Sequence, residues 1–367
     1  MKNAYIHIPF CKTICTYCDF CKMYYNPKWV NVYLDSLEKE IDSKYKNETL
    51  STIYIGGGTP NSLSDEELER LFKIVDKLKK DSSYEYTIEC NIELLTLNQI
   101  LLMKRFGVNR VSIGVQTFNT DYLEFLNRHH TKDMIIDKIN LLKKYDINNI
   151  NVDLIYAIPG ETLNELSEDI DIIKELDIPH ISTYSLIIEP NTVLSKLNTK
   201  NINEDLDYDM YNLIIDKLDN YKHYETSNFS KDGYESRHNL TYWNNEHYYG
   251  FGLGASGYID NIRYENTRSL NHYLNGKYVL EESILTKNEI IENEFILGFR
   301  KSDGINIEKF KEKYNIDILT LDVIIELLKK GKLINDGGNI KINSNYVYTA
   351  NDILINFLGI DYEKRCF

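Results

Sequence analysis

The chain has 367 residues, 43% of them hydrophobic and 27% charged, and a formal net charge of -14. That length supports a full core, with one large domain and a smaller accessory one, and the composition is that of an ordinary folded protein. The acidic balance disfavours non-specific attraction to nucleic acid or anionic membranes, and no apolar run approaches the roughly 18 residues needed to span a bilayer.

The first four residues lead straight into a strand-like run, which leaves no room for a signal peptide. Clustered cysteines stay as thiolates only in a reducing compartment, so the expected location is cytoplasmic. β-Branched runs predict strands at 5–8, 52–55, 86–89, 110–114, 151–155 and 180–187. Helical spacing predicts helices over 27–45, 64–80, 121–128, 131–145, 162–176 and 204–221, with Pro27 and Ser64 suited to helix starts. Strand-then-helix repetition implies parallel strands with right-handed crossovers. The predicted fold class is therefore α/β, a partial (βα)6 TIM-like barrel over residues 1–222. Residues 223–284, with an aromatic polar stretch at 237–249 and glycine-rich text at 250–257, read as a barrel extension. Residues 285–367 show helices at 288–300, 307–313 and 319–329 and then a hairpin, the pattern of a small winged-helix-like module. The module lacks a dense Lys/Arg stripe, so packing or partner contact is expected of it and nucleic acid is not.

Four of the six cysteines fall in Cys11-Lys-Thr-Ile-Cys15-Thr-Tyr-Cys18-Asp-Phe-Cys21, directly after the first strand. Three thiolates spaced C-x3-C-x2-C suit three corners of an iron–sulfur cubane and leave the fourth iron open to a small molecule. Zinc is the competing metal, but its structural sites pair two knuckles separated by about a dozen residues or more, and the next cysteine is Cys90. Other unusual residues fall at the same ends of the predicted strands: Gly56–Gly58 after the second, Glu89 closing the third, Gln116 after the fourth. In parallel sheets and barrels, chemistry gathers at those ends.

With Tyr5-Ile-His-Ile-Pro-Phe-Cys11, the three-cysteine spacing and Gly56-Gly-Gly-Thr-Pro60, the chain resembles the radical S-adenosylmethionine (SAM) superfamily. Within it, the likeness is to the branch that holds oxygen-independent coproporphyrinogen III oxidases and the HemW haem chaperones, and it continues in family order through 113–118, 151–155, 188–191 and 224–227. The resemblance implies that Cys11, Cys15 and Cys18 hold a [4Fe–4S] cluster whose open iron chelates SAM and, given an external reductant, cleaves it. It implies SAM contacts from Tyr5, Tyr17, Gly57, Gly58, Thr59, Glu89, Gln116, Arg128 and Asp153. Their chemistry suits that use: carboxylates for ribose hydroxyls and ammonium, a guanidinium for a carboxylate, and glycines for close backbone approach. The structural alternatives are an Arg128–Asp153 pair, and packing roles for Tyr5 and Tyr17.

Three features bear on the branch. The oxidases carry a long extension ahead of the cluster loop, and this sequence starts at Met1 without one. They place a fourth cysteine one residue beyond the third, whereas two residues separate Cys18 from Cys21; an auxiliary or passive thiol is expected, because a fourth ligand would exclude SAM. Third, His238-Asn239-Leu-Thr-Tyr242-Trp243 matches the HNxxYW motif associated with haem binding in HemW, imidazole being a good axial ligand and the two aromatics offering flat faces. His247 and His223 are the alternative ligands. The implied function is a haem chaperone carrying a [4Fe–4S] cluster, SAM and haem, with a haem-accepting protein and a reductant as partners. The alternative is an oxidase that decarboxylates coproporphyrinogen III propionates to vinyls.

Overall fold

The structure, a computed structural model, describes residues 2–362. Six segments form parallel strands, β1 (Lys2–Ile8), β2 (Leu50–Gly57), β3 (Lys80–Asn91), β4 (Arg110–Gln116), β5 (Asn149–Tyr156) and β6 (His180–Ser185), paired in that order. Between them lie α1 (Pro27–Lys44), α2 (Asp65–Val75), α3 (Leu97–Arg105), α4 (Lys132–Lys144) and α5 (Leu163–Glu175), and α6 (Glu204–Lys217) follows β6. Local chemistry sets the helix starts. Pro27 stands in the first turn of α1 behind an Asn26 cap, and Ser64 closes a capping box with Glu67 at α2, a cap worth about 1 kcal/mol. The helix expected over 64–80 stops at Val75, because Lys80–Glu85 is recruited into β3, where Lys80 pairs with Leu50 of β2.

The sheet continues past both ends of this array. On the β6 side it gains the antiparallel strands β7 (Lys222–Glu225) and β8 (Asn228–Ser230), which α7 (Arg237–Trp243) follows. On the β1 side, β9 (Tyr248–Phe251) pairs parallel with β1, and β10 (Ser256–Ile259), β11 (Ile262–Asn266) and β12 (Val279–Ile284) extend it as an antiparallel meander. The order across all twelve strands is β12-β11-β10-β9-β1-β2-β3-β4-β5-β6-β8-β7. One apolar core runs from Ala4 to Tyr273, so the boundary expected near residue 222 falls inside one sheet and one core.

The C-terminal part has its own core, from Ile291 to Tyr362, with Phe295 packed against Phe299, Phe310, Phe357 and Tyr362. It comprises α8 (Lys287–Gly298), β13 (Ile305–Asn306), α9 (Ile307–Tyr314), α10 (Asp322–Lys329), β14 (Leu333–Asn335) and β15 (Asn339–Ile342), the strands in order β13-β15-β14. It docks on the barrel through backbone bonds from Thr226 to Arg300 (3.1 Å) and from Ser302 to Tyr224 (3.0 Å). No helix among the described residues is long and apolar enough to cross a membrane.

Candidate functional site

Beyond β1 the cysteine loop is gathered by a two-residue parallel bridge, Phe10–Cys11 against Met23–Tyr24. Its far side is pinned by the Thr16 hydroxyl, which donates to the Phe125 carbonyl (2.9 Å), and by the Asn127 amide, which donates to the Ile14 carbonyl (2.8 Å). Cys11, Cys15 and Cys18 open on one cavity of about 390 Å³. Cys21 does not line it and packs against Gly254. The Thr59 hydroxyl donates to the Cys11 sulfur (3.4 Å), and burial pushes the Cys11 thiol up to about 11. Among the described residues, no three His, Cys, Asp or Glu side chains converge on a single-ion position. Three thiols opening on one cavity are the donor set that would hold three corners of a [4Fe–4S] cluster and leave its fourth iron facing that cavity.

On β4 and β5 the walls come from strand residues of one parity. β4 supplies Arg110, Ser112, Gly114 and Gln116, and β5 supplies Asn151, Asp153 and Ile155. The intervening Val111, Ile113, Val115, Val152 and Leu154 are fully buried in the core. Glu89, at the end of β3, accepts hydrogen bonds from the Tyr54 hydroxyl (2.8 Å) and the Gly57 amide (2.9 Å). Burial nonetheless pushes its carboxyl up to about 7, against those two bonds. The glycine run gains a reason the sequence did not offer: the chain's own groups fill the space beside it. A Cβ on Gly56 would lie 2.7 Å from the Glu89 carboxyl, one on Gly57 2.4 Å from the His7 ring, and one on Gly58 2.8 Å from the Pro9 backbone.

His7 is one of the residues the sequence reading missed. Its Nε2 lies 2.7 Å from the Cys21 carbonyl, which can only accept, so Nε2 carries the proton and Nδ1 accepts from the Tyr5 hydroxyl (3.0 Å). Burial lowers the ring to about 4, so it is neutral. Tyr5 itself does not line the cavity. Instead of the expected direct contact with SAM, it props His7, which in turn holds the cysteine loop.

Arg128 does not pair with Asp153. Its Nη2 donates to the Gly114 carbonyl (2.8 Å) and its Nε faces Glu93 (3.4 Å), while the residue still lines the cavity. Gln116 stands at a bulge between β4 and β5 with φ +72. Asp153 is raised by burial, against hydrogen bonds from Asn151 (2.7 Å), Ser182 and Ser112 (3.5 Å). Asn151 is held in turn by buried His180, whose Nδ1 lies 2.6 Å from its Oδ1. Tyr17, Gly57, Gly58 and Thr59 line the cavity as expected.

The histidine motif sits differently from the expectation. Its residues lie on α7: His238 and Tyr242 turn toward each other, Asn239 lines the cavity, and Trp243 lies under Arg300. His238 is 1% exposed. The Asn3 amide nitrogen donates to the His247 carbonyl, so its oxygen accepts from Thr52 (3.0 Å), and Thr52 must accept the Nδ1 proton of His238 (2.6 Å). Nε2 then accepts from the Tyr242 hydroxyl (2.8 Å). Burial, with the charge of Arg110, lowers the ring to about 3. Both ring nitrogens are hydrogen-bonded, Nδ1 to Thr52 and Nε2 to Tyr242, so iron could reach Nε2 only by displacing the Tyr242 hydroxyl. The alternatives are also engaged, His223 stacked on Phe229 and His247 edge-on to Tyr258. Tyr54, Arg110, Asn151 and Ser182 are cavity residues the sequence reading missed; their signal was the recurrence of polar side chains at every second position of apolar strands.

Comparison with known proteins agrees with this architecture. Residues 5–173 match the Radical SAM superfamily and residues 285–345 the HemN C-terminal domain. The chain is 41% identical to the haem chaperone HemW of Lactococcus lactis subsp. lactis, over 97% of each chain. It is 38% identical to that of Bacillus subtilis, over 98% of this chain and 100% of the relative. Among solved structures, the coproporphyrinogen III oxidase HemN of Escherichia coli superposes with a TM-score of 0.85 at 20% identity, over 97% of this chain and 90% of that one, a likeness of fold. The chain therefore belongs to the HemW family of the radical SAM superfamily.

Proposed function

We propose that this chain binds haem and passes it to an acceptor protein in a reducing cytoplasm, supported by a [4Fe–4S] cluster on Cys11, Cys15 and Cys18 and by SAM in the adjoining cavity. The observation that carries the reading is end-to-end similarity, at 41% and 38% identity, to relatives named as haem chaperones. When bound, the cluster supplies an open iron able to chelate SAM and, once charged by a reductase or ferredoxin-like donor, to reduce it. The chain's own residues do the rest. Glu89 and Asp153 present carboxyl oxygens to the cavity, Arg128 a guanidinium edge for a carboxylate, and Tyr17 an apolar face beside the cysteines. A cavity of about 390 Å³ has room for one ligand of SAM's size, which leaves haem to its rim. Phe20, Tyr184 and Ile187 stand there 64%, 42% and 63% exposed and offer an apolar seat for a macrocycle. Residues 285–362, with their own core, form the accessory module of this assembly.

The test is anaerobically reconstituted protein titrated with haem, followed by transfer to apomyoglobin as a generic acceptor. Stoichiometric uptake, a Soret band and transfer are expected, with coproporphyrinogen III left unchanged in the presence of SAM. Formation of protoporphyrinogen would replace the chaperone reading with the oxidase.

A further inference from the structure

Glu89 and Asp153 face the cavity from β3 and β5, and Arg110 opens β4, the strand between them. Arg110 lines the same cavity and is 2% exposed. Among the described residues no hydrogen bond or ion pair reaches its guanidinium, and its Nε is buried without a partner. Its register neighbours are uncharged: Thr87 on β3 and Asn149 on β5, whose own side-chain oxygens are buried and unpartnered. A buried cation is costly unless an opposite charge answers it. The other acids nearby are engaged. Glu85, lower on β3, accepts the amide hydrogens of Arg237 and His238 (both 3.0 Å), and Glu93 faces Arg128 (3.4 Å). Glu89 and Asp153 remain, outside ion-pair contact but inside the field of Arg110: burial raises both carboxyls, and the Arg110 charge opposes it at each. The same charge adds to burial in lowering His180 and His238. Burial also raises the Cys90 thiol and the hydroxyls of Tyr5, Tyr54, Tyr184, Tyr224 and Tyr242. Near neutrality none of these groups is charged, so Arg110, Glu89 and Asp153 settle the charge at the heart of the cavity.

We infer that Arg110 is the internal counter-ion of the SAM site, a positioning residue that holds Glu89 and Asp153 as carboxylates for the cosubstrate's ammonium and sulfonium groups. Two carboxylates against one guanidinium leave one negative charge. SAM, with a single net positive charge, cancels it; in its absence a proton shared by the two carboxyls does so near neutrality. The inference rests on the assignment of this cavity to SAM made above.

The experiment uses the full chain, anaerobically reconstituted with iron and sulfide, with SAM affinity measured by equilibrium dialysis from about pH 6 to about pH 9. The ligand's own ionisation is common to every variant. Wild-type affinity should rise with pH and level off as the carboxyls ionise. Arg110→Gln should move that rise about one pH unit to the alkaline side, binding SAM about tenfold more weakly than wild type near pH 7 and at least as tightly near pH 9. Arg110→Lys keeps the charge without the guanidinium fork and should keep the wild-type profile. Wild-type protein that fails to bind SAM would remove the cosubstrate assignment and this inference with it. Wild-type binding with an Arg110→Gln profile that is unmoved, or lowered equally at every pH, would overturn the counter-ion role alone. Should the glutamine variant fold poorly, Arg110→Lys decides the matter: a wild-type profile supports the role, and a displaced or uniformly weakened one ends it.

Discussion

Replacing Gly57 by alanine tests how tightly the cosubstrate loop is locked to the cysteine loop. Gly57 has φ +111, a conformation that costs an L-residue about 1–3 kcal/mol. The new methyl would lie 2.4 Å from the His7 ring, well inside contact distance. His7 must then swing away, surrendering its bonds to Tyr5 (3.0 Å) and to the Cys21 carbonyl (2.7 Å), each worth about 1 kcal/mol. The total is roughly 3–5 kcal/mol, a large part of a typical domain's stability. Gly160 is the control: φ is +93 there and nothing lies within 4 Å of an added Cβ, so Gly160→Ala should cost only the backbone strain. Equilibrium urea unfolding followed by circular dichroism compares the two. In a His7→Ala background, Gly57→Ala should cost no more than Gly160→Ala. Equal losses for the two glycine variants in the wild-type background would refute the reasoning.

Any one of Cys11→Ala, Cys15→Ala and Cys18→Ala should abolish the charge-transfer absorbance of the reconstituted cluster, while Cys21→Ala, off the cavity wall, should retain it; iron analysis showing equal loss in all four would disprove the division. Glu89 is protonated in both folded and unfolded states below its ordinary value of 4.5. As pH rises from there through about 7 the unfolded chain ionises first, so the fold loses stability. Between about pH 5.5 and pH 8 the wild type should therefore lose about 2 kcal/mol more than Glu89→Gln in urea titrations, and parallel pH profiles would show that the carboxyl is not buried as described. Arg128→Lys cannot span the Gly114 carbonyl, Glu93 and the cavity at once, and should weaken SAM binding about tenfold by equilibrium dialysis. Phe20→Ser and Ile187→Ser should lower haem affinity and leave SAM affinity unchanged in the same titrations.

Much of the fold was legible because six Val/Ile-rich runs alternate with capped amphipathic helices, and all six runs became β1 to β6. The seventh parallel strand, β9, was not: Tyr248-Tyr-Gly-Phe251 is too short to alternate, and it becomes a strand only because β1 presents a free edge to it. The cysteine loop announced itself by spacing, a local property. The supporting layer was silent, because Tyr54 and His180 matter through neighbours tens to hundreds of residues away and His7 through the Cys21 carbonyl that loop closure brings to it. His238 illustrates the same limit from the other side. The motif spelled out its presence, but Thr52, Asn3 and Tyr242 settled what its nitrogens do, and only folding brings Asn3 and Thr52 there.

The double embrace of β1 carries a consequence for biosynthesis. Tyr5 is hydrogen-bonded neighbour to Tyr54 on one flank and to Gly250 on the other, so the strand that launches the cysteine loop is secured on its second flank only by a segment translated some two hundred residues later. Contacts of such long sequence separation form slowly. A chain that has not yet been translated past residue 251 therefore carries its cysteine loop on a strand anchored along one flank.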